Sequence, residues 1–282
     1  MRKLKGFWRL LRFELPFSAG MCVVMGQLLA LGNFSSIYLT SFGFLSIFLI
    51  SASILVLNDY FDVETDRINA PERALPSGLV STGEALALSI SLLATGFVFS
   101  YLIGFVTLII AVVLSIIGLF YNRKFKKSGL AGNLMVSFSV GMTFAYGAMS
   151  VGLPFNKAAL FYGLIAALID LGEEISADAM DIKGDTLINS SSLAIKYGKQ
   201  AALKISAGIF SWVIILSIIP FLLKWFEPLF ILPIAIMDTS IAYYAYRLLK
   251  SKNEEGRKYI RRLYLGATAG ILIFLGMKLA QI

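Results

Sequence analysis

The chain has 282 residues, of which 58% are hydrophobic and only 15% charged, and its mean hydropathy is +0.80. Soluble domains carry about 25% charged residues, so this composition excludes a water-soluble globule and indicates a polytopic membrane protein. The absence of histidine and the single cysteine, Cys22, exclude a Cys/His zinc site, a haem site, a histidine-based catalytic triad and a disulfide. Any metal ion must therefore be held by oxygen ligands.

The first twelve residues, MRKLKGFWRLLR, alternate basic side chains with apolar and aromatic ones. This pattern predicts an amphipathic segment over residues 1–13 that lies on an anionic membrane face. No cleavage pattern of the signal-peptide type follows the first apolar stretch, so we expect that stretch to be retained. We expect residues 1–282 to form a single polytopic domain.

Nine apolar stretches along the chain are long enough to cross a bilayer as helices. They cover residues 16–31, 37–57, 84–103, 105–120, 130–149, 158–175, 205–222, 229–246 and 263–280. Glycines recur within them, for example Gly147 and Gly208, and favour close packing of membrane helices. The sequence therefore predicts an all-α, multi-pass protein of the cell membrane.

The distribution of positive charge predicts the orientation. With a cytoplasmic N-terminus and nine spans, 22 of the 25 Lys and Arg residues fall in cytoplasmic segments. Positive residues collect on that side of a membrane. The net charge of +8 is therefore interpreted as a topology signal and a source of lipid contacts, and we expect no nucleic-acid partner.

Acidic residues concentrate in two short segments that follow the second and sixth predicted spans. Residues 59–72 and 170–185 together hold eleven of the 17 carboxylates. Each segment has aspartates at i, i+3 and i+7, which lie on one face of a helix. We call them the first aspartate cluster (Asp59, Asp62 and Asp66) and the second aspartate cluster (Asp178, Asp181 and Asp185). Both are expected at the cytoplasmic surface, where they can face each other.

Such clusters are unfavourable without positive charge between them, because like charges and desolvation both oppose ionisation. Mg²⁺ relieves this cost, since it binds carboxylate oxygens together with substrate phosphates. The pattern therefore predicts a Mg²⁺-dependent site for a diphosphate. Basic residues on the same side could hold that diphosphate: Arg67, Arg73, Arg123, Lys124 and Lys126.

The two segments resemble the motifs of a known family. NDYFDVETDRINAPERALPSG (residues 58–78) is similar to the first aspartate-rich motif, NDxxDxxxD, of the UbiA superfamily of intramembrane prenyltransferases, and DAMDIKGD (residues 178–185) is similar to its second motif. The resemblance implies a bundle of nine transmembrane helices around a central cavity, with a cytoplasmic cap formed by the motif loops. It also implies transfer of an isoprenyl chain from a prenyl diphosphate to a lipophilic acceptor.

Position by position, the resemblance implies the roles of individual residues. The expected ligands of two Mg²⁺ ions are Asn58, Asp59, Asp62, Asp66, Asp178, Asp181 and Asp185. The expected catalytic residues among them are Asp62, Asp66, Asp181 and Asp185. The segment YNRKFKK is similar to the family's Tyr-and-Lys segment, in which either Lys124 or Lys126 matches the family lysine. The expected diphosphate-binding residues are Arg67, Tyr121, Arg123, Lys124 and Lys126.

The acceptor is less well determined by the sequence. Members that prenylate hydroxybenzoate typically carry an arginine seven residues before the motif asparagine, where this chain has Ser51. The motif form is more similar to archaeal members that join geranylgeranyl diphosphate to geranylgeranylglyceryl phosphate in ether-lipid synthesis. Glu173 and Ala74 stand where those members usually have Arg and Pro. An aromatic acceptor, as in quinone-precursor or haem-type members, is therefore the alternative.

A cation-coupled transporter is the alternative from another class, because acidic residues in membrane helices also mark ion pathways. Transporter sites usually lie near the middle of the membrane on broken helices. Here the acids lie at helix ends, with Asp238 and Asp170 as exceptions. The enzyme is therefore favoured, with a prenyl diphosphate, a lipophilic acceptor and membrane lipids as partners. The sequence does not predict the oligomeric state.

Overall fold

The computed structural model describes residues 2–187, 189–251 and 255–280, which form helices and connecting segments and contain no β-strand. The α-helices in this part of the chain are α1 (Arg2–Leu11), α2 (Glu14–Leu31), α3 (Ile37–Phe61), α4 (Val63–Asn69), α5 (Thr82–Ile103), α6 (Phe105–Phe120), α7 (Leu130–Ser150), α8 (Lys157–Asp178), α9 (Ile182–Leu187), α10 (Leu193–Tyr197), α11 (Lys199–Leu222), α12 (Ile231–Leu249) and α13 (Gly256–Leu279).

Nine long helices of the described residues, α2, α3, α5 to α8 and α11 to α13, overlap the nine predicted stretches. The largest differences are at α11 and α13, which begin at Lys199 and Gly256 rather than at residues 205 and 263. Seven helical segments are long and apolar enough to cross a membrane. The exceptions, α7 and α8, are more polar. The prediction of an all-α protein with membrane-spanning helices is confirmed, whereas crossing by α7 and α8 stays a prediction.

The long helices form a closed arrangement. Each packs against the next in the chain from α2 to α13, and α13 returns to contact α2. Helix α2 also contacts α7 and α8. The largest cluster of buried apolar side chains includes Phe210, Phe230 and Phe274. Short helices α4, α9 and α10 follow α3 and α8, the two helices that end in the aspartate clusters.

Helix α1 packs on the segment that follows the first aspartate cluster. Leu10 is fully buried in a small apolar cluster with Val56, Leu75 and Val80. Lys3 also forms an ion pair with Glu84, the N3 residue of a capping box at the start of α5. The apolar side of the predicted amphipathic segment is thus partly used for packing on the protein. Its contact with a membrane stays a prediction.

Two glycines bring the backbones of α2 and α7 together. A Cβ atom on Gly147 would lie 2.2 Å from the carbonyl oxygen of Val23, and one on Gly26 would lie 2.2 Å from that of Phe144. Both obstacles are backbone atoms of neighbouring helices, which cannot rotate away as a side chain can. Gly208 differs, because a Cβ there would meet no atom within 4 Å.

We predict that Gly147→Val destabilises the protein because the added side chain forces α2 and α7 apart. Overpacking of this kind typically costs about 1–3 kcal/mol. The thermal midpoint of detergent-solubilised protein should fall clearly for Gly147→Val. The matched variant Gly208→Val should unfold close to the wild-type temperature. Equal midpoints for the two variants would show that the close approach of α2 and α7 does not limit stability.

Candidate active site

The first aspartate cluster lies where α3 ends and α4 begins. Asp59 belongs to the last turn of α3, Asp62 connects the two helices, and Asp66 lies in α4. Because Asp62 has nearly helical dihedral angles (φ −93°, ψ 3°), the spacing i, i+3, i+7 keeps the three carboxylates on one side. All three are buried, with exposed fractions of 2%, 8% and 5%.

Cations from three separate parts of the chain hold these carboxylates. Arg73 donates two hydrogen bonds to Asp66, at 2.7 and 2.6 Å, and lies 3.7 Å from Asp59. Arg12 pairs with Asp59, and Lys126 pairs with Asp62. Burial alone would lower the pKa of the Arg73 guanidinium, but the charges of Asp66 and Asp59 outweigh it and raise that pKa.

The second aspartate cluster lies between α8 and α9. Asp178 ends α8 and accepts a hydrogen bond from Asn133 Nδ2 at 2.9 Å, while Asp181 pairs with Arg257. Burial raises the pKa of the Asp181 carboxyl even though Arg257 acts against it. Burial, together with the charges of Asp178 and Asp181, raises the pKa of Asp185 to about 7. The second aspartate cluster therefore has less positive charge around it than its three carboxylates need for full neutralisation.

The two clusters face each other, as the sequence predicts. Helix α4, which carries Asp66, packs against α9, which carries Asp185. The charge of Asp66 contributes to raising the pKa of Asp181, and the charge of Asp62 does the same for Asp185. Positive charge also acts across the two clusters, because the charges of Arg73 and Lys126 oppose the burial that raises the pKa of Asp181. The two aspartate clusters therefore line one shared, highly acidic space.

The predicted diphosphate-binding residues divide into two groups. Tyr121 is buried, and Lys126 reaches Asp62 inside the space between the clusters. Arg67 instead pairs with Glu64 at 3.0 Å in an exposed position, and Arg123 and Lys124 are exposed as well. The structure thus brings Lys126, rather than Lys124, to the aspartates. A turn of π-helix, Tyr121–Phe125, follows α6 and sets this register.

Some residues at the site were not found from the sequence. Arg12 lies in the amphipathic segment predicted to contact an anionic membrane face. Arg257 lies in a basic segment interpreted as a topology signal, and Asn133 lies within an apolar stretch. The side-chain amides of Asn58 and Asn122 lie 3.0 Å apart, within hydrogen-bond distance. For Asn133 a signal existed, since an asparagine in an apolar stretch needs a buried partner. For the arginines no local signal existed.

The donor set suits Mg²⁺, because the clusters offer only oxygen ligands on two facing sides. Within residues 2–187, 189–251 and 255–280, no three carboxylates converge closely enough to hold an ion as they stand. Arg73, Lys126 and Arg257 pair with Asp66, Asp62 and Asp181. An ion bound at these carboxylates would compete with the three cations.

The chain is similar to known proteins over most of its length. A family described as the UbiA prenyltransferase family matches residues 19–274. The digeranylgeranylglyceryl phosphate synthase of Thermococcus sibiricus (strain DSM 12597 / MM 739) is 36% identical over 251 residues, which cover 88% of each chain. A solved structure described as digeranylgeranylglyceryl phosphate synthase in membranes is 32% identical and superposes with a TM-score of 0.70 over 99% of both chains.

A UbiA homologue from Archaeoglobus fulgidus, solved with bound GPP and Mg²⁺, shares the fold. Its TM-score is 0.69 over 97% of this chain and 99% of that one, at 16% identity. The family match covers most of the chain, and a relative more than 30% identical covers 88% of it. The protein therefore belongs to the UbiA prenyltransferase family.

Proposed function

We propose that the protein transfers a geranylgeranyl chain from geranylgeranyl diphosphate to the free hydroxyl of geranylgeranylglyceryl phosphate, in a Mg²⁺-dependent reaction of archaeal ether-lipid synthesis. The observation that carries the proposal is the pair of facing aspartate clusters with Lys126 between them. The names of the relatives that are more than 30% identical over most of the chain support the acceptor.

The whole chain would act as one polytopic domain with nine spans and a cytoplasmic active site. Helices α7 and α8 have 21 and 22 residues, enough to cross a membrane. Their polar side chains have partners inside the bundle, since Ser137 of α7 donates to Asp170 of α8 at 2.9 Å. The asymmetric placement of Lys and Arg supports a cytoplasmic N-terminus and cytoplasmic motif loops, which form the cap.

The seven motif residues would hold two Mg²⁺ ions. They are Asn58, Asp59, Asp62, Asp66, Asp178, Asp181 and Asp185, of which Asp62, Asp66, Asp181 and Asp185 are the proposed catalytic residues. When bound, Mg²⁺ neutralises the diphosphate and makes it a better leaving group. Lys126 and Tyr121 would bind the diphosphate oxygens, while Arg73 and Arg257, released from their aspartates, add positive charge near it.

The bundle below the clusters would hold the reacting atoms. The prenyl chain is apolar and extends from the diphosphate into the helix bundle. The acceptor hydroxyl attacks C1 as the bond from C1 to the diphosphate breaks. Apolar side chains exclude water, which would otherwise capture the allylic cation as an alcohol. Tyr60 and Phe61 lie within the first motif, where aromatic faces can stabilise passing positive charge.

An aromatic acceptor is the second candidate, because Glu173 and Ala74 depart from the usual archaeal pattern. Ser51 opposes it for hydroxybenzoate, since α3 carries no basic residue that could hold the acceptor's carboxylate. The acceptor phosphate of geranylgeranylglyceryl phosphate, by contrast, suits a site where Arg12 and Arg73 lie beside the first aspartate cluster.

The first test is direct. Detergent-purified protein with geranylgeranyl diphosphate, geranylgeranylglyceryl phosphate and Mg²⁺ should form the digeranylgeranyl ether, detected by mass spectrometry. Chelation with EDTA should abolish the product, and Asp62→Asn should reduce kcat/KM by about 10²-fold or more, because a charge that stabilises the leaving group is lost. Turnover only with an aromatic acceptor would keep the chemistry and discard the ether-lipid assignment.

Lys126 and Lys124 offer a matched pair for the diphosphate site. We predict that Lys126→Gln raises the KM for the prenyl diphosphate by about 10-fold or more, because a hydrogen bond to a charged group is worth about 1.5–3 kcal/mol. Lys124→Gln should stay within about 2-fold of the wild type, since its ammonium is exposed and lies 5.9 Å from the Phe125 ring centroid. The reverse result would assign the family lysine to Lys124.

The nine-span topology predicts where a new cysteine is labelled. In a Cys22→Ala background, Phe155→Cys lies between α7 and α8 at a side chain that is 85% exposed. A membrane-impermeant maleimide should label it from outside intact cells, whereas Ser77→Cys should react only in inverted vesicles. If α7 and α8 do not cross the membrane, both positions will react from the same side.

A further inference from the structure

A line of carboxylates continues from the second aspartate cluster into the bundle. Asp170, Glu174 and Asp178 are spaced at i, i+4 and i+8 on α8 and so share one face. Because a helix rises 1.5 Å per residue, Glu174 lies about 6 Å and Asp170 about 12 Å below Asp178 along the axis. Only Asp178 belongs to the predicted metal ligands. The deeper two have no role in the proposed function so far.

These deeper acids have neutral partners. Tyr121 OH donates to Glu174 Oε2 at 3.4 Å, and Ser137 Oγ donates to Asp170 Oδ2 at 2.9 Å. Glu173, beside them, has a buried Oε1 without a hydrogen-bond partner. In the described part of the chain, no Lys or Arg forms an ion pair with any of the three. These carboxylates are half-buried, and Lys126, which pairs with Asp62, acts on Glu174 through its charge without forming an ion pair with it. A proton can therefore move to Glu174 without breaking an ion pair.

Glu174 lies at the depth where the reaction must occur. In the proposed function, the diphosphate lies at the level of Asp178 and Asp62. The prenyl chain extends from it into the helix bundle, so its C1 atom lies on the bundle side of the two clusters. Glu174 is one helical turn below Asp178 and contacts Tyr121, the buried tyrosine of the diphosphate site. Asp170 is a further turn away. The chain has no histidine, and four of the six cluster aspartates are already paired with Arg or Lys, namely Asp59, Asp62, Asp66 and Asp181.

We propose that Glu174 accepts the proton that the acceptor hydroxyl loses, a role that rests on the proposed function above. The acceptor oxygen forms its bond to C1, the bond from C1 to the diphosphate breaks, and pyrophosphate leaves with that electron pair. The O–H bond of the acceptor breaks and its proton moves to the Glu174 carboxylate. The carboxyl then returns the proton to the cytoplasm as the product leaves.

The test compares ether formation with pyrophosphate release. In Glu174→Gln, we expect ether formation to fall by about 10²-fold or more, the usual contribution of a positioned base. Affinity for the Mg²⁺–prenyl diphosphate, measured without acceptor, should stay within about 3-fold. Pyrophosphate release should exceed ether formation, with geranylgeraniol as the accompanying product, because water captures the prenyl group that the acceptor fails to take.

Three further variants separate a proton acceptor from a structural residue. Glu174→Asp keeps a carboxylate and should recover at least about 10-fold of the lost ether formation. Tyr121→Phe removes the hydrogen bond but keeps the carboxylate, so it should mainly weaken diphosphate binding. Asp238→Asn changes a carboxylate elsewhere in the bundle, where Ser217 donates to it at 2.6 Å, and should stay close to the wild type.

Two results would overturn the role of Glu174. One is ether formation by Glu174→Gln within about 3-fold of the wild type, which would assign the proton to the diphosphate or to water. The other is an equal loss of diphosphate affinity and turnover in Glu174→Gln and Tyr121→Phe, which would leave only a structural contact. If the wild type alkylates only an aromatic hydroxyl, the acceptor assignment fails. The role of Glu174 is then tested by comparing ether formation with pyrophosphate release in Glu174→Gln on that aromatic acceptor.

Discussion

Six aspartates from two segments 119 residues apart share one half-buried space, and their mutual repulsion must be balanced by positive charge. Two unit charges 4 Å apart interact by about 4 kcal/mol at the effective dielectric constant near a protein surface, so even one uncompensated pair is costly. Cationic side chains from three different segments provide this positive charge. Arg73, Lys126 and Arg257 pair with the clusters and thereby connect those segments.

The same constraint links folding to function. A side chain that neutralises an aspartate in the absence of metal is also placed to neutralise a diphosphate once an ion takes over the carboxylate. In the proposed function, the ion pairs of Arg73 and Lys126 would be a resting arrangement that exchanges partners when metal and diphosphate bind. A buried ion pair contributes little net stability against its desolvation cost, so such exchange is energetically accessible.

Local patterns in the sequence predicted the parts of this protein that depend on neighbours along the chain. The spacing of Asp59, Asp62 and Asp66 alone places them on one helix face, and the apolar stretches overlap the long helices. Partners from distant segments could not be found this way, because nothing near Arg12 indicates that it reaches Asp59. The lysine register was ambiguous for a related reason, since it depends on a π-helical turn that adds a residue after α6. Ordinary helical spacing does not reveal such a turn.

The contact between α2 and α7 has a consequence for how this sequence can diverge. At most packed positions, a larger residue can be tolerated once a neighbour becomes smaller, so the two sites change together over evolutionary time. Gly26 and Gly147 have no such route, because each faces a backbone carbonyl of the other helix, which is present whatever residue supplies it. Neither position can be rescued by a second substitution, so lineages of this fold that keep the contact must keep both glycines.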